Sequence, residues 1–437
     1  MPAVADVAAR ARRRIARRLL PFLFILYIIA FLDRVNVAYA ALDMTRGLGF
    51  TAEVFGFGAG IFFFGYFLLE IPGALLVEKW SARAWIARIM ITWGIATILV
   101  GFVRTAHQFY WARFFLGMAE AGFFPGIIVY LTHWFRSEDR AKAVALFMAA
   151  IPVSNILGAP LAGFILGVHW AGLPGWRWIF ILEGIPAIIF GVITIFYLTD
   201  WPEQARWLPP EERDWIRSEL EREKQEKKAI RSFTVWEALR SRDVIHLALI
   251  YFLGVTGSYG VSLWLPTMIK QLSGLPNLAV ALVSALPYVL ALIAMVLLGW
   301  SSDRSGERRW HTAAPLFLGG LTLALSVALG AHLTASIVLL TLATACLWTY
   351  LPPFWALPTS ILSESAAAAS IGLINSVGNL GGFVGPYTVG YLQTATGTTA
   401  AGMVALVVSL LLAGFLVLRL QPVRRPRRNR LPTERRW

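Results

Sequence analysis

Apolar residues occupy most of this chain in runs of about 20, and short turns rich in polar residues or glycine separate the runs. An α-helix needs about 20 apolar residues to cross the hydrocarbon core of a bilayer. A membrane β-barrel would show shorter segments, of about ten residues, in which apolar and polar positions alternate. The pattern therefore predicts an all-α polytopic membrane protein.

We predict twelve transmembrane helices, and one long polar stretch at 200–243 divides them into six and six. In this stretch Pro209 and Pro210 precede residues of mixed charge, which is typical of a helix on a solvated surface. The spans are predicted at residues 19–40, 54–77, 84–103, 108–133, 141–167, 179–199, 244–268, 278–300, 312–330, 335–362, 367–393 and 400–420.

Lysine and arginine are unevenly distributed among the turns, and this distribution predicts the topology. They concentrate at both ends of the chain, in the polar stretch and in the turns at 79–83, 136–142 and 304–309. Cytoplasmic loops carry such an excess, so we expect both termini in the cytoplasm and the protein in the inner cell membrane. The predicted parts are a basic tail at 1–18, a six-helix bundle at 19–199, a linker at 200–243, a second six-helix bundle at 244–420 and a basic tail at 421–437.

The composition excludes several classes of function. Hydrophobic residues make up 57% of the chain and charged residues 15%, against about a quarter charged in soluble proteins. The net charge of +14 comes largely from arginines beside the first and last spans, where anionic lipid explains them, so nucleic acid is not an expected partner. The lone Cys346 excludes a disulfide framework and a thiolate metal site. We expect no metal and no cofactor. No pair of histidines has the spacing of metal ligands, and the sequence contains no phosphate-binding glycine loop followed by lysine.

The two halves contain similar short segments. GALLVEKWSARAW at 73–85 and GWSSDRSGERRW at 299–310 occupy corresponding turns. Two further pairs share one spacing: Asn155 with Gly158, and Asn379 with Gly382. Together with the central polar stretch, these segments predict two parallel six-helix repeats with a binding site between them near mid-membrane.

Several segments resemble the major facilitator superfamily and, within it, the tartrate/phthalate/hydroxyphenylacetate-type permeases of the anion:cation symporter family. The segments are GWSSDRSGERR in the second half, then LDRVNVAYA (32–40), RFFLGMAEAGFFPGIIVYLTHWF (113–135), GWRWIFILEGIPA (175–187) and INSVGNLGGFVGPYTVGYLQTATG (374–397). The first-half loop departs from the superfamily pattern, since Glu78 and Lys79 stand where Asp-Arg is usual. The resemblance implies a carrier of small organic carboxylates that couples transport to a cation.

Ionisable residues deep in the predicted spans all lie in the first half of the chain. Such groups are costly in hydrocarbon and usually face a polar cavity or a partner. The second half offers neutral polar groups instead, notably Tyr259, Asn375, Ser376 and Asn379. The deep ionisable residues are Asp33, Arg34, Glu70, Arg113, Glu120 and Glu183.

Arg34 is the predicted clamp for a substrate carboxylate, because a guanidinium group presents a planar fork that matches a carboxylate. The resemblance implies the same role for it. Arg113 and Glu120 are seven residues apart and therefore share one helical face, so Arg113 is a second candidate. The alternative for both arginines is a structural ion pair with a nearby acid. The sequence thus favours an anionic substrate.

Asp33 and Glu120 are the predicted groups for cation or proton coupling, a role that the resemblance implies for the matching acids of the family. A carboxylate in a dry site beside an arginine can change its protonation state as its neighbours change. The alternative is a static ion pair that braces the helices. Asp33 and Arg34 are adjacent, about 100° apart on a helix, so they are not expected to face one substrate together.

The remaining candidates divide into substrate contacts and gates. Substrate contacts are predicted for Tyr66, Tyr259, Asn375 and Asn379, with helix packing or hydrogen bonds between helices as the alternative. Gating contacts are predicted for Glu70, Asp303 and Arg304, whereas Glu183 is interpreted as structural. Trp348 and Trp355 are expected to pack against neighbouring helices, with stacking on an aromatic acid as the alternative.

The sequence thus predicts a monomeric symporter of a small organic anion in the lipid bilayer, driven by protons or by sodium. The second hypothesis is a proton-driven antiporter that exports a drug or metabolite, which would use the acids but would hardly need Arg34. An enzyme or receptor is not expected, because the sequence offers no nucleophile with a paired base and no soluble catalytic domain.

Overall fold

The computed structural model describes residues 2–79, 81–228, 237, 240–330, 332–361 and 364–420. Apart from turns and two short 3₁₀ segments, the described chain is α-helical, as predicted. The helices are α1 Pro2–Leu48, α2 Ala52–Lys79, α3 Ala82–Val100, α4 Ala106–Glu120, α5 Phe123–Thr132, α6 Ser137–Met148, α7 Ala150–Leu166, α8 Gly175–Tyr197, α9 Pro210–Lys228, α10 Arg242–Ser273, α11 Asn277–Ser305, α12 Arg309–Ala328, α13 Leu333–Thr349, α14 Leu351–Ile361, α15 Glu364–Asn379, α16 Gly381–Thr396 and α17 Thr399–Arg419.

Eleven segments among the described residues are long and apolar enough to cross a membrane. They correspond to eleven of the predicted spans. The region of the remaining predicted span, 367–393, is covered by helices α15 and α16. The predicted tail at 421–437 and residues 229–236 and 238–239 of the predicted linker lie outside the described residues.

The predicted basic tail at 1–18 is the first part of helix α1, which continues without interruption into the first span. Alanine and arginine are strong helix formers, and the segment contains no glycine and no internal proline before Pro21. Helix α9, which begins at Pro210 as the sequence predicts, packs against this extension. The ion pair between Arg14 and Glu212, at 3.0 Å, joins the two helices.

Four of the predicted spans are not single helices. Breaks of one or two residues separate α4 from α5, α6 from α7, α13 from α14, and α15 from α16. At the first break Gly122 adopts φ +85°, a left-handed conformation that glycine tolerates. Gly73 of helix α2 packs directly on Gly122. The break makes Glu120 the last residue of its helix, in the middle of the predicted fourth span.

The two halves pack closely at the end of the molecule distant from α9. There helix α2 lies against α16, and α7 lies against α11. A Cβ atom added at Gly390 would lie 2.4 Å from the carbonyl oxygen of Ala52, so the backbones touch. Asn277 also donates a hydrogen bond to Asp43 at 2.9 Å across the halves. This contact closes one end of the space between the halves.

Candidate functional site

A cavity lies between the two halves, and its walls come from both. It leaves about 60 Å³ for water-sized molecules, which is room for only a few of them. Nine of its lining residues carry aromatic rings and two are asparagines. The lining residues are Tyr27, Phe31, Arg34, Tyr66, Phe124, Met148, Ile151, Tyr251, Val255, Ser258, Tyr259, Trp348, Tyr350, Leu351, Trp355, Asn375 and Asn379.

Arg34 is the one charged residue among those that line this cavity. Its Nη2 donates to the carboxylate of Glu120, and the two side chains are 11% and 0% exposed. The guanidinium group also lies 5.1 Å from the ring centres of Phe31 and Tyr66. Its Nε has no hydrogen-bond partner in the described chain. The guanidinium thus keeps donor capacity next to the cavity.

Glu120 is fully buried behind Arg34, at the end of helix α4. One carboxylate oxygen accepts from Arg34, and the other has no partner among the described residues. A buried charge without a partner is costly, so the carboxylate depends on Arg34 for its charged form. A ligand that occupies the guanidinium group would therefore remove the counter-charge of Glu120.

Arg113 is not placed on the cavity wall. It is fully buried between α4 and α2, where Nη2 donates to the carbonyl of Ala59 at 3.5 Å and the guanidinium lies 4.8 Å from the ring centre of Phe62. Its Nε and Nη1 have no partner in the part of the chain that is described. Arg113 and Glu120 are seven residues apart, which corresponds to about 10 Å along the helix axis. The two side chains therefore share a helical face without reaching the same cavity.

Asp33 points away from the cavity that Arg34 lines, consistent with the angle between adjacent helical residues. Its carboxylate accepts hydrogen bonds from the amide of Asn36, at 2.8 Å, and from the hydroxyl of Thr97 on helix α3. Sequence reasoning missed both partners. Asn36 lies three residues after Asp33, a helical spacing that could have revealed it.

Glu70 is linked to the second half, because the side-chain amide of Asn375 donates to its carboxylate. Asn375 and Asn379 both line the cavity, one helical turn apart on α15. Tyr66 lines the cavity on the opposite side and is buried. The structure therefore brings the predicted gate Glu70 into direct contact with a predicted substrate ligand.

Aromatic residues form half of the wall that the second half contributes, five of its ten lining residues. Tyr259 and Trp348 lie edge to face with ring centres 5.9 Å apart, and Tyr251 and Trp355 do the same at 4.9 Å. Sequence reasoning singled out three of these four but missed Tyr251. Arg34 and Tyr66 of the first half were predicted, whereas Tyr27, Phe31, Phe124, Met148 and Ile151 were missed. Both Tyr27 and Tyr251 lie within apolar runs of the sequence. A hydroxyl group in the middle of the membrane needs a polar partner, and this could have indicated that both tyrosines face a polar cavity.

The other predicted residues lie away from the cavity. Glu183 is buried in helix α8, and one of its oxygens has no partner among the described residues. Asp303 forms an ion pair of 2.6 Å with Arg308 in the turn between α11 and α12, and the Arg304 guanidinium lies 5.4 Å from the ring centre of Trp300. No cluster of three or more His, Cys, Asp or Glu side chains within the described residues is arranged to hold a metal ion.

In the same turn, the carboxylate of Glu307 caps helix α12. It accepts from the backbone N–H of Trp310 at 2.9 Å and from the backbone and ring of His311 at 3.2 and 3.0 Å. Partial burial alone would raise the pKa of Glu307. The hydrogen bonds from Trp310 and His311 outweigh that effect and hold its pKa below the usual value.

The sequence profile of the Major Facilitator Superfamily matches residues 23–386 of this chain. The chain belongs to the major facilitator superfamily. Members of this superfamily are carriers, so the chain is a membrane transporter and not an enzyme. The resemblance to this superfamily that the sequence segments indicated is confirmed.

Curated relatives match nearly the whole chain. A protein of Agrobacterium vitis provisionally named as a tartrate transporter is 46% identical over 414 residues, which cover 94% of this chain and 92% of the relative. A protein of Acinetobacter baumannii named as a quinolone resistance transporter is 39% identical over 393 residues, covering 90% of each chain. The resemblance to tartrate-type permeases is thus supported by relatives at high coverage.

Solved structures show the same fold. The crystal structure of a bacterial homologue of the human lysosomal transporter Spinster, in an inward-facing and unoccupied conformation, superposes with a TM-score of 0.75. The two sequences are 18% identical, and the match covers 93% of this chain and 96% of that one. The all-helical superfamily fold predicted from the sequence is therefore confirmed.

Proposed function

We propose that this transporter moves a small organic carboxylate across the inner membrane together with protons, by alternating access of its two halves. The observation that carries the proposal is the ion pair between Arg34, which lines the cavity between the halves, and Glu120, which is buried behind it. A cation whose ion-pair partner is an internal carboxylate can exchange that partner for the carboxylate of a ligand.

The substrate carboxylate takes the place of the Glu120 carboxylate on Arg34. Glu120, now without its counter-charge in a dry site, takes up a proton because an isolated buried carboxylate is costly. For each substrate carboxylate that enters with one proton, the net charge of the loaded site equals that of the empty one. Reversal of these steps on the other side releases both, which couples the substrate to the proton.

The remaining site residues take supporting roles in this proposal. Tyr66, Tyr259, Asn375 and Asn379 contact the substrate, since all four line the cavity. Asp33 is the second coupling group. Arg113 lies within electrostatic reach of both Asp33 and Glu120 and stabilises whichever acid is charged. Glu70, Asp303 and Arg304 act as gates.

The cavity offers about 60 Å³, so it must widen to admit an organic acid. The close contact of α2 with α16 shuts the end distant from α9. We infer that substrate enters or leaves this conformation at the other end, which is cytoplasmic in a protein of twelve spans with both termini inside. The tight contacts lie between the two halves of a single chain, which fits a working monomer.

The relatives provisionally named as tartrate transporters, 46% and 47% identical to this chain, support a carboxylate as the cargo. The test is uptake of radiolabelled tartrate into proteoliposomes under an imposed pH gradient, acid outside. Wild type should accumulate the label and lose it with an uncoupler. Arg34→Ala should abolish uptake, whereas Arg46→Ala, an exposed arginine of the same helix, should not. Gradient-independent uptake contradicts proton coupling and leaves sodium to be tested by replacing Na⁺ with choline.

The second candidate function is proton-driven export of a drug or metabolite. The relative named as a quinolone resistance transporter, 39% identical to this chain, favours it, as does the aromatic wall of the cavity. Cells that express the protein should then show a raised inhibitory concentration for a quinolone, and Arg34→Ala should leave that resistance intact. Uptake of the acid by the wild type, with no rise in the inhibitory concentration of the quinolone on expression, favours the first function.

A further inference from the structure

Five arginines of the first turns of helix α1 line a surface crevice of about 550 Å³. The opposite wall is formed by Tyr197, the last residue of helix α8, and by Trp207, which precedes helix α9. The crevice is separate from the cavity between the halves, with no lining residue in common. The five arginines are Arg10, Arg13, Arg14, Arg17 and Arg18.

Arg18 is held in a fixed position at the base of this crevice. Its guanidinium group lies 4.5 Å from the ring centre of Tyr197 and 4.9 Å from that of Trp207. The Tyr197 hydroxyl also donates to the backbone carbonyl of Arg18 at 3.1 Å. The Nε of Arg18 is buried without a hydrogen-bond partner among the described residues. An ordered guanidinium with unused donor capacity is a ready site for an oxyanion.

The positive charge of the crevice is only partly neutralised. Arg14 and Arg10 share Glu212 of helix α9, at 3.0 and 3.8 Å. Arg13 and Arg17 are exposed and make no ion pair with any described acid. With Arg18, three cations therefore remain for an external anion, and their summed potential attracts one.

Exposed apolar residues lie near Tyr197, at the end of helix α8. Phe196, next to Tyr197, is 82% exposed, and Ile193 lies one helical turn before Tyr197 with 38% exposed. Exposed apolar residues on a membrane-spanning helix face acyl chains. A free inorganic anion would bind the arginines but would make no contact with these apolar residues, whereas a phospholipid would contact both.

We propose that this crevice binds the phosphate headgroup of an anionic phospholipid, with its acyl chains along the outer face of helix α8. The headgroup contacts Arg13, Arg17 and Arg18. Because Arg14 ties the same segment to α9 through Glu212, the bound lipid fastens the start of α1 and the linker helix to the bilayer surface. The site is independent of the substrate cavity and of the nature of the cargo.

The test uses the full-length protein in detergent micelles doped with phosphatidylglycerol, with phosphatidylcholine or with 10 mM inorganic phosphate. Native mass spectrometry counts bound lipid, and thermal unfolding reports stabilisation. Phosphatidylglycerol should bind and raise the unfolding temperature, and neither phosphatidylcholine nor inorganic phosphate should do so. The combined variant Arg13→Ala, Arg17→Ala, Arg18→Ala should bind phosphatidylglycerol at least ten-fold more weakly, since each basic residue near a membrane contributes about five-fold.

A matched control removes three exposed arginines from the same end of the protein but outside the crevice. Arg12→Ala, Arg217→Ala, Arg222→Ala changes the net charge equally and should bind phosphatidylglycerol as wild type does. Equal losses in the two variants, or equal stabilisation by inorganic phosphate, overturns the proposal. Should the crevice variant fail to fold, Arg13→Ala and Arg17→Ala alone, both exposed, should each lower binding about five-fold, and unchanged binding in both contradicts the site.

Discussion

Glu120→Gln separates substrate binding from proton coupling. Glutamine keeps the shape of the side chain but cannot carry the negative charge that pairs with Arg34 in the wild type. In the proposed mechanism a substrate carboxylate displaces Glu120 from Arg34 in the wild type, whereas in the variant it displaces only a neutral amide oxygen. Binding should therefore become tighter while coupling is lost.

The magnitude follows from the burial of the pair. Arg34 is 11% exposed and Glu120 is 0% exposed, so water screens the contact little. A hydrogen bond to a charged group contributes about 1.5–3 kcal/mol, against about 1 kcal/mol for a neutral one. The difference of about 0.5–2 kcal/mol predicts a Kd about 2- to 30-fold lower in Glu120→Gln.

The assay is calorimetric titration of the purified variants with the transported acid at pH 6 and pH 8, followed by transport in proteoliposomes. Glu120→Gln should bind equally well at both pH values, exchange labelled for unlabelled substrate, and fail to accumulate substrate under a pH gradient. Glu138→Gln, an acid with 80% of its side chain exposed, should behave as wild type. Weaker binding in Glu120→Gln, or accumulation as steep as in wild type, would refute the reasoning.

Three further outcomes are expected. Asp33→Asn should leave the substrate Kd within about two-fold of wild type in calorimetry, because Asp33 is off the cavity wall, but should abolish accumulation under a pH gradient; a large loss of affinity contradicts this placement. Gly117→Ala should lower the unfolding temperature by several degrees, because its Cβ would lie 1.9 Å from the carbonyl oxygen of Phe62, whereas Gly372→Ala, with nothing within 4 Å, should not. Below about pH 4.5 the cap of helix α12 should weaken. The pKa of Glu307 is lower in the folded protein than in the unfolded chain. The carboxylate therefore stabilises the folded state fully above its unfolded-state pKa, and this stabilisation is lost as the pH falls through its folded-state pKa. Hydrogen exchange of the first α12 amides should quicken there in wild type and be pH-independent in Glu307→Gln once the intrinsic pH dependence of exchange is corrected for.

The helix breaks illustrate where sequence reasoning reached its limit. Residues 108–133 form one apolar run, so the run predicts one span. Its interruption after Glu120 depends on a left-handed Gly122 and on the contact with Gly73, fifty residues earlier. A local pattern cannot reveal a contact of that kind, because glycine is tolerated in membrane helices for several unrelated reasons.

The sequence alone determined that this protein is an all-α membrane carrier and that its buried charges belong to the first half. Run length and the cost of a charge in hydrocarbon are local properties, so they can be read without a fold. Only the tertiary structure decided that Arg34 reaches the cavity while Arg113 is enclosed between α4 and α2. The rotation of each helix about its axis is set by packing against its neighbours, and this rotation determines which arginine faces the cavity.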